Sequence, residues 1–282
     1  MQRLPFFVVN AFTDKQFAGN PASVVLLDKP LASPEVYQGI AAEMPTPETA
    51  FLTSLDGKSL SDSANFELRW FLPSVELKMC GHATLAATAI LYRRFTNSQA
   101  TLVFNTLYGS IKAFQELNNQ IFGLLLKSAP LVTHHLASDL QKLIDLKHYK
   151  QAAYCAERQT LIVEVNTYKD LLAVEPHFKN LLNYKQLDLA RVVLTTASES
   201  GQIQDFSSRC FCPWISINED AVSAATHTLL AEYWRYKTYK SSFLAYQASD
   251  RGGYLSLDCD TGHQVWVKGK AAIVMEGQYA LT

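Results

Sequence analysis

Phe66-Glu67-Leu68-Arg69-Trp70-Phe71-Leu72-Pro73 returns 140 residues later as Phe206-Ser207-Ser208-Arg209-Cys210-Phe211-Cys212-Pro213, keeping Phe-x-x-Arg-x-Phe-x-Pro. Each copy alternates in the manner of a strand and is followed by an acidic residue and then an apolar, helix-forming run. Allowing four further residues after the motif, Glu76 falls on Asp220 at an offset of 144, and at that offset Gly109 (GSIKAFQ) falls on Gly253 (GYLSLDC). Two matches in one register predict a duplicated domain, with a period far too long for a solenoid.

Outward from the motif, the first apolar run is Gly81 to Tyr92 (GHATLAATAILY), so Ala-rich that it has scarcely a polar face. Such a helix is expected to be buried on all sides. Its counterpart is expected over 222–233. The fold class read from this pattern is α+β: two domains, each a barrel-like set of strands wrapped around a central apolar helix. The expected boundaries are 1–115 with a C-terminal strand at about 268–282 for the first domain, and 116–267 for the second. Residues 5–27 read as a hairpin about Gly19-Asn20-Pro21, and Ser33-Pro34-Glu35 opens a short helix that ends before Pro45. The helix N-termini, expected to face each other across the inter-domain cleft, offer N–H groups without intrahelical partners and partial positive charge to a small anionic substrate.

Bulk properties exclude several functions. Charged residues are 18% of the chain and the formal net charge is -1, so nucleic acid is not an expected partner. No apolar stretch approaches the roughly 20 residues that span a bilayer, and the N-terminus lacks the pattern of a secretion signal. A cytoplasmic protein is expected. The five scattered cysteines include no CxxC pair, which argues against a disulfide framework, and Cys210-x-Cys212 lacks the spacing and further ligands of a zinc site. No metal is expected.

In order along the chain, FTDKQFAGNP (12–21), PETAFL (47–52), Arg69 to Pro73 with ELKMCGHATL (76–85), Glu219-Asp220 and Arg251-Gly252-Gly253 resemble the PhzF-like family, named for the phenazine-biosynthesis isomerase, within the diaminopimelate epimerase-like fold group. The resemblance implies a site between the domains, no organic cofactor or metal, and a homodimer. It implies that Glu48 takes a proton from one carbon and returns it to another. It further implies that His82 and Asp220, with the helix-start residues Gly81, Ala225 and Thr226, bind a substrate of the dihydro-hydroxyanthranilate class. The chain departs from the family's Asp-Pro-Val-Thr-Gly-Ser-Ala-His, reading Asp220-Ala221-Val222-Ser223-Ala224-Ala225-Thr226-His227. That loses a close-approach glycine and a serine hydroxyl.

The residue types support these roles with bland alternatives beside them. Glu48 follows Thr46-Pro47, where a loop charge would be ordinary; as a proton shuttle it needs burial that raises its pKa. His82, on the first turn of a helix, is expected to be held neutral by the dipole, or to be a core histidine. Asp220 can cap the second helix and bind substrate at once. Cys80 raises the possibility of a thiol-based racemase, but its counterpart at the 144 offset is Ala224, leaving one thiol where two are needed. Cys80 is therefore expected to be a small buried hydrophobe. His227 and His134-His135 read as surface or structural, and Tyr233 to Tyr239 as a helix end packed on a sheet. A non-catalytic small-molecule binder that kept the fold is the alternative to the isomerase.

Overall fold

A computed structural model describes residues 2–116, 120–215, 217–260 and 262–282. The chain forms two compact units, one of residues 1–126 with 266–282 and the other of residues 127–265. The first unit contains β1 (Gln2–Ala11), β2 (Asn20–Leu27), α1 (Pro34–Glu43), β3 (Thr49–Ser54), β4 (Asn65–Leu72), β5 (Val75–Leu77), α2 (Gly81–Arg94), β6 (Leu102–Thr106), β7 (Gly109–Gln115) and β8 (Phe122–Lys127). The second contains β9 (Val132–His134), α3 (Ser138–Leu143), β10 (Gln151–Cys155), β11 (Thr160–Glu164), α4 (Tyr168–Ala173), α5 (Phe178–Leu181), β12 (Arg191–Ala197), β13 (Phe206–Cys212), β14 (Ile217–Glu219), α6 (Ala224–Thr238), β15 (Ser242–Gln247) and β16 (Gly253–Cys259). β17 (Gln264–Gly269) carries the chain back to the first unit, which β18 (Ala271–Leu281) completes.

Helix α2 is buried from Gly81 through Leu91, as its composition requires. Its two threonines survive in that stretch because Thr84 and Thr88 donate their hydroxyls to the carbonyls of Cys80 and Thr84, at 2.7 and 2.8 Å. Helix α6 begins two residues later than expected and runs on to Thr238, because Ser223 is its N-cap and accepts from the Thr226 N–H.

The pairings repeat from one unit to the other. β1 and β2 pair antiparallel, β2 and β3 parallel, β3 and β4 antiparallel, β4 with β5 antiparallel and β6 parallel, and β6 with β7 antiparallel. The second unit repeats this order with β10, β11, β12, β13, β14, β15 and β16. The first domain extends past the expected residue 115 because β8 pairs with β7, Lys112 opposite Leu125. β18 lies along β1, as β9 lies along β10.

The register of the repeat around the helices differs from the expected one. Arg69 holds Glu76 with two hydrogen bonds of 2.7 Å, and Arg209 holds Glu219 with two of 2.9 Å. Glu76 lies opposite Phe71, and Glu219 opposite Phe211. Glu76 therefore corresponds to Glu219, not Asp220, and the offset there is 143. The 144 offset holds further on, where Gly109 and Gly253 open β7 and β16.

Outside the strands of the first unit, Tyr37 and Ile40 of α1 pack on Phe51 and Phe71, and the Arg69 guanidinium lies 4.5 Å from the Tyr37 ring centroid. In the second unit Leu140, Leu171 and Leu181 of α3, α4 and α5 cover Val192, Leu194 and Phe211. The tail of α6 is split: Tyr233 and Trp234 are buried, whereas Tyr236 and Tyr239 stand in solvent. Among the described residues, no helix is long and apolar enough to cross a membrane.

Candidate active site

Glu48 immediately precedes β3, and its backbone is fixed before its side chain is considered. Its carbonyl accepts from the Ser23 N–H at 3.0 Å and from the Thr46 hydroxyl at 2.9 Å. Thr46 also bonds the Ser23 hydroxyl at 2.8 Å, so Thr-Pro-Glu is tied to β2. Phe51 points outward to α1, so alternation turns Ala50 and Leu52 inward and Glu48 with them. The Glu48 side chain ends 11% exposed, with Oε2 3.6 Å from His82 Nε2.

His82 is the second residue of α2 and is equally enclosed. Cys80, the N-cap, places Sγ 3.6 Å from Nδ1 and 3.8 Å from Nε2. A sulfur almost equidistant from both ring nitrogens lies along neither lone-pair axis, so this is a close electrostatic contact and not an aligned hydrogen bond. Burial opposes a charge on the imidazole, but the Cys80 sulfur and the Glu48 carboxylate outweigh it and hold the His82 pKa well above the usual value. The expectation of a dipole-depressed, neutral His82 is thus overturned: two acidic groups in contact exceed the partial charge of one helix end. Glu48, His82 and Cys80 form one buried cluster. Beside it, the first-turn N–H groups of Gly81, His82 and Ala83 are those that no helix carbonyl reaches.

The second unit assembles Asp220, Ala225 and Thr226 around the start of α6. The Asp220 N–H donates to the Cys210 carbonyl at 2.9 Å, and its carbonyl accepts from Gln247 Nε2 at 2.6 Å. The same Gln247 accepts from the Ser223 N–H at 2.9 Å, and Ser249 donates to the Ala221 carbonyl at 2.6 Å. Two side chains from the β15 end thereby fix the turn that leads into α6. Thr226 is buried with its hydroxyl 3.7 Å from Cys210 Sγ, and Ala225 is half-buried.

The 143 register pairs Cys80 with Ser223, Gly81 with Ala224 and His82 with Ala225. Cys80 therefore corresponds to a serine and not to Ala224. The thiol-racemase argument keeps its outcome, since a serine hydroxyl is no second thiol. His227 is not a surface residue. It is fully buried, bonded through Nδ1 to the Ser223 carbonyl at 2.7 Å, and burial pushes its pKa down to about 4.

Sequence reasoning passed over two of these groups. Cys80, weighed as a racemase thiol and then read as a small buried hydrophobe, carries in its place two residues before His82 at a helix start the signal for this contact. Gln247 carried no signal, because its task is to bridge backbone groups 24 and 27 residues away.

The sequence profile of the phenazine biosynthesis-like proteins, PhzC-PhzF, matches residues 9–277. A phenazine biosynthesis-like domain-containing protein of Bos taurus is 36% identical, covering 98% of both chains. An uncharacterized isomerase of Halalkalibacterium halodurans is 33% identical, covering 100% of both. The crystal structure of a PhzF-family protein from Enterococcus faecalis superposes with a TM-score of 0.88 at 28% identity, covering 99% of this chain and 100% of that one. The fold is α+β and epimerase-like.

Proposed function

This chain belongs to the family of phenazine biosynthesis-like proteins, and from that premise we propose that it is a cofactor-independent isomerase in which Glu48 carries a proton between two carbons of a small carboxylate-bearing substrate. The observation that carries the reading is the buried contact of Glu48 with His82 at the start of an apolar helix, 3.6 Å apart. The Glu48 carboxylate takes the proton as a C–H bond breaks, and the electron pair spreads into the substrate's conjugated system. The protonated Glu48 then returns the proton to another carbon of that system, so no atom and no electron is gained or lost. His82, held cationic, steadies the carboxylate before the transfer and the substrate's developing negative charge during it. Gly81, His82, Asp220, Ala225 and Thr226 are assigned to substrate binding. The isomerase names among its relatives support this class of reaction. We further assign it a cytoplasmic location and a homodimeric state, the latter checked by light scattering.

The test is solvent deuterium uptake followed by NMR, with wild type and Glu48→Gln incubated in D2O with dihydro-hydroxyanthranilate and other small unsaturated acids. Uptake by wild type that falls by about a thousandfold in Glu48→Gln supports the shuttle. Equal uptake by both overturns it. A second reading, a binder without turnover, is favoured by one feature: α6 opens with Ala224-Ala225, which bring no side-chain donor. Binding of these acids without exchange would select it.

A further inference from the structure

The duplicated register assigns a counterpart to Glu48. Thr49 lies opposite Phe71 in the first unit and Val192 opposite Phe211 in the second, so the residue equivalent to Glu48 is Arg191. Where one copy carries an acid, the other carries a permanent cation. Val192 and Leu194 face the outer cluster under α3, α4 and α5, which turns Arg191, Val193 and Thr195 toward α6. Thr195 accepts from Trp234 Nε1 at 3.1 Å, near the C-terminal half of α6. Cys210, paired with Val193, contacts Thr226 near its N-terminus. β12 therefore runs from the beginning of α6 toward its end, and Arg191 enters at the beginning. Arg191 immediately precedes the Val192–Phe211 pair, and Asp220 donates its N–H to the Cys210 carbonyl, so both residues stand at the Cys212 end of β13.

Among the described residues, Arg191 Nε is enclosed without a hydrogen-bond partner, while the residue as a whole is half-buried. Arg209, by contrast, spends its guanidinium on Glu219 and on the carbonyls of Leu171, Leu172 and Val174. An enclosed N–H without an acceptor is costly unless a ligand supplies one. Beside it, Ala225 stands at the position where α2 carries His82, so the bulk of an imidazole is missing at this helix start.

We propose that Arg191 is the residue that selects for anionic substrates: its guanidinium, with the first-turn N–H groups of α6, receives a carboxylate. This rests on the reading that the start of α6 binds substrate. A monoanionic carboxylate fits better than a phosphate, because Asp220 close by opposes a second negative charge. The short Ala224 and Ala225 side chains then cease to be a deficit. The donor that they lack is supplied from β12.

Calorimetric titration of the full chain with 2-aminobenzoate and with its neutral isostere 2-aminobenzamide tests this in wild type, Arg191→Met, Arg191→Lys and Glu48→Gln. Wild type is expected to prefer the carboxylate. Arg191→Met is expected to weaken carboxylate binding about tenfold to a hundredfold and to leave the amide unchanged. Arg191→Lys keeps the charge without the fork, so severalfold weaker binding with the preference intact is expected. That variant carries the test if the methionine chain does not fold. Equal carboxylate affinity in wild type and Arg191→Met, or in wild type and Arg191→Lys, overturns the proposal, as does a wild type that binds neither probe or prefers the amide. Glu48→Gln is followed for deuterium exchange, which separates the shuttle from the anion site. Loss of exchange in Glu48→Gln with unchanged affinity in Arg191→Met would leave the shuttle standing and remove the anion site, and the reverse pattern would do the opposite.

Discussion

Lowering the pH is expected to weaken the second unit through one residue, His227. The ring is fully buried, stacks on Phe206 with centroids 6.1 Å apart, bonds the Ser223 carbonyl through Nδ1 and sits 3.4 Å from the Ser208 hydroxyl through Nε2. This sandwich favours the neutral form with its proton on Nδ1. In the unfolded chain the ring takes up a proton near pH 6.5, whereas burial holds its folded pKa down to about 4. Between those values the unfolded state binds the extra proton, so stability falls as pH drops from 6.5 toward 4 and is unaffected by this group above 6.5. The gap corresponds to about 3 kcal/mol at ~1.4 kcal/mol per tenfold. Urea unfolding at pH 7.0 and at pH 4.5, followed by tryptophan fluorescence, measures it for wild type and His227→Gln. The glutamine variant is expected to be less stable at pH 7.0, because it loses the ring stacking, and to show a pH dependence smaller by about 2 to 3 kcal/mol. Equal pH dependence in the two proteins would refute the argument that the buried imidazole is responsible.

The Thr49 hydroxyl is buried at 0% exposure and has no hydrogen-bond partner among the described residues. Thr49→Val keeps the shape and the strand preference while removing that hydroxyl, so a gain of about 1 kcal/mol in chemical denaturation is expected. Gly19 has φ +68°, and a Cβ there would lie 2.2 Å from the Ala11 carbonyl oxygen, so Gly19→Ala is expected to cost about 2 kcal/mol or more, read as a fall in melting temperature.

The fold was legible because its repeated motif is built of residues that each have a fixed task. Arg69 and Arg209 each clamp a glutamate across a strand pair, and Phe71 and Phe211 each lie in an outer hydrophobic cluster, so these positions persisted while the rest of the copies diverged. The register slipped where the chain was free to lengthen. Between Pro213 and Glu219 the second copy has gained three residues, accommodated by a 3-10 turn at Pro213–Ile215 and a bulge between Phe211 and Cys212. With Glu219 and Asp220 adjacent, sequence alone offers two acids for one arginine, and only the arginine's reach decides. The charge state of His82 was out of view for a related reason. It depends on Cys80, whose side chain only the turn into the helix brings against the ring, and on Glu48, 34 residues away, neither of which a helix-dipole argument takes into account. The short helices α3, α4 and α5 span four to six residues each and left too little periodicity to read.

The placement of β18 along β1 sets a schedule for biosynthesis. Gln2 lies opposite Leu281, so β1 leaves the ribosome long before the strand it pairs with. Until then β1 can pair only with β2 and keeps an open edge on its other side. The equivalent pairing in the second half, β9 with β10, is local and can close as soon as residue 155 has emerged. Two halves of like topology therefore differ in contact order, and the later-made one is free to finish first. A nascent chain stalled before residue 271 would expose an unsatisfied strand edge in its oldest part, which is where a chaperone would be needed.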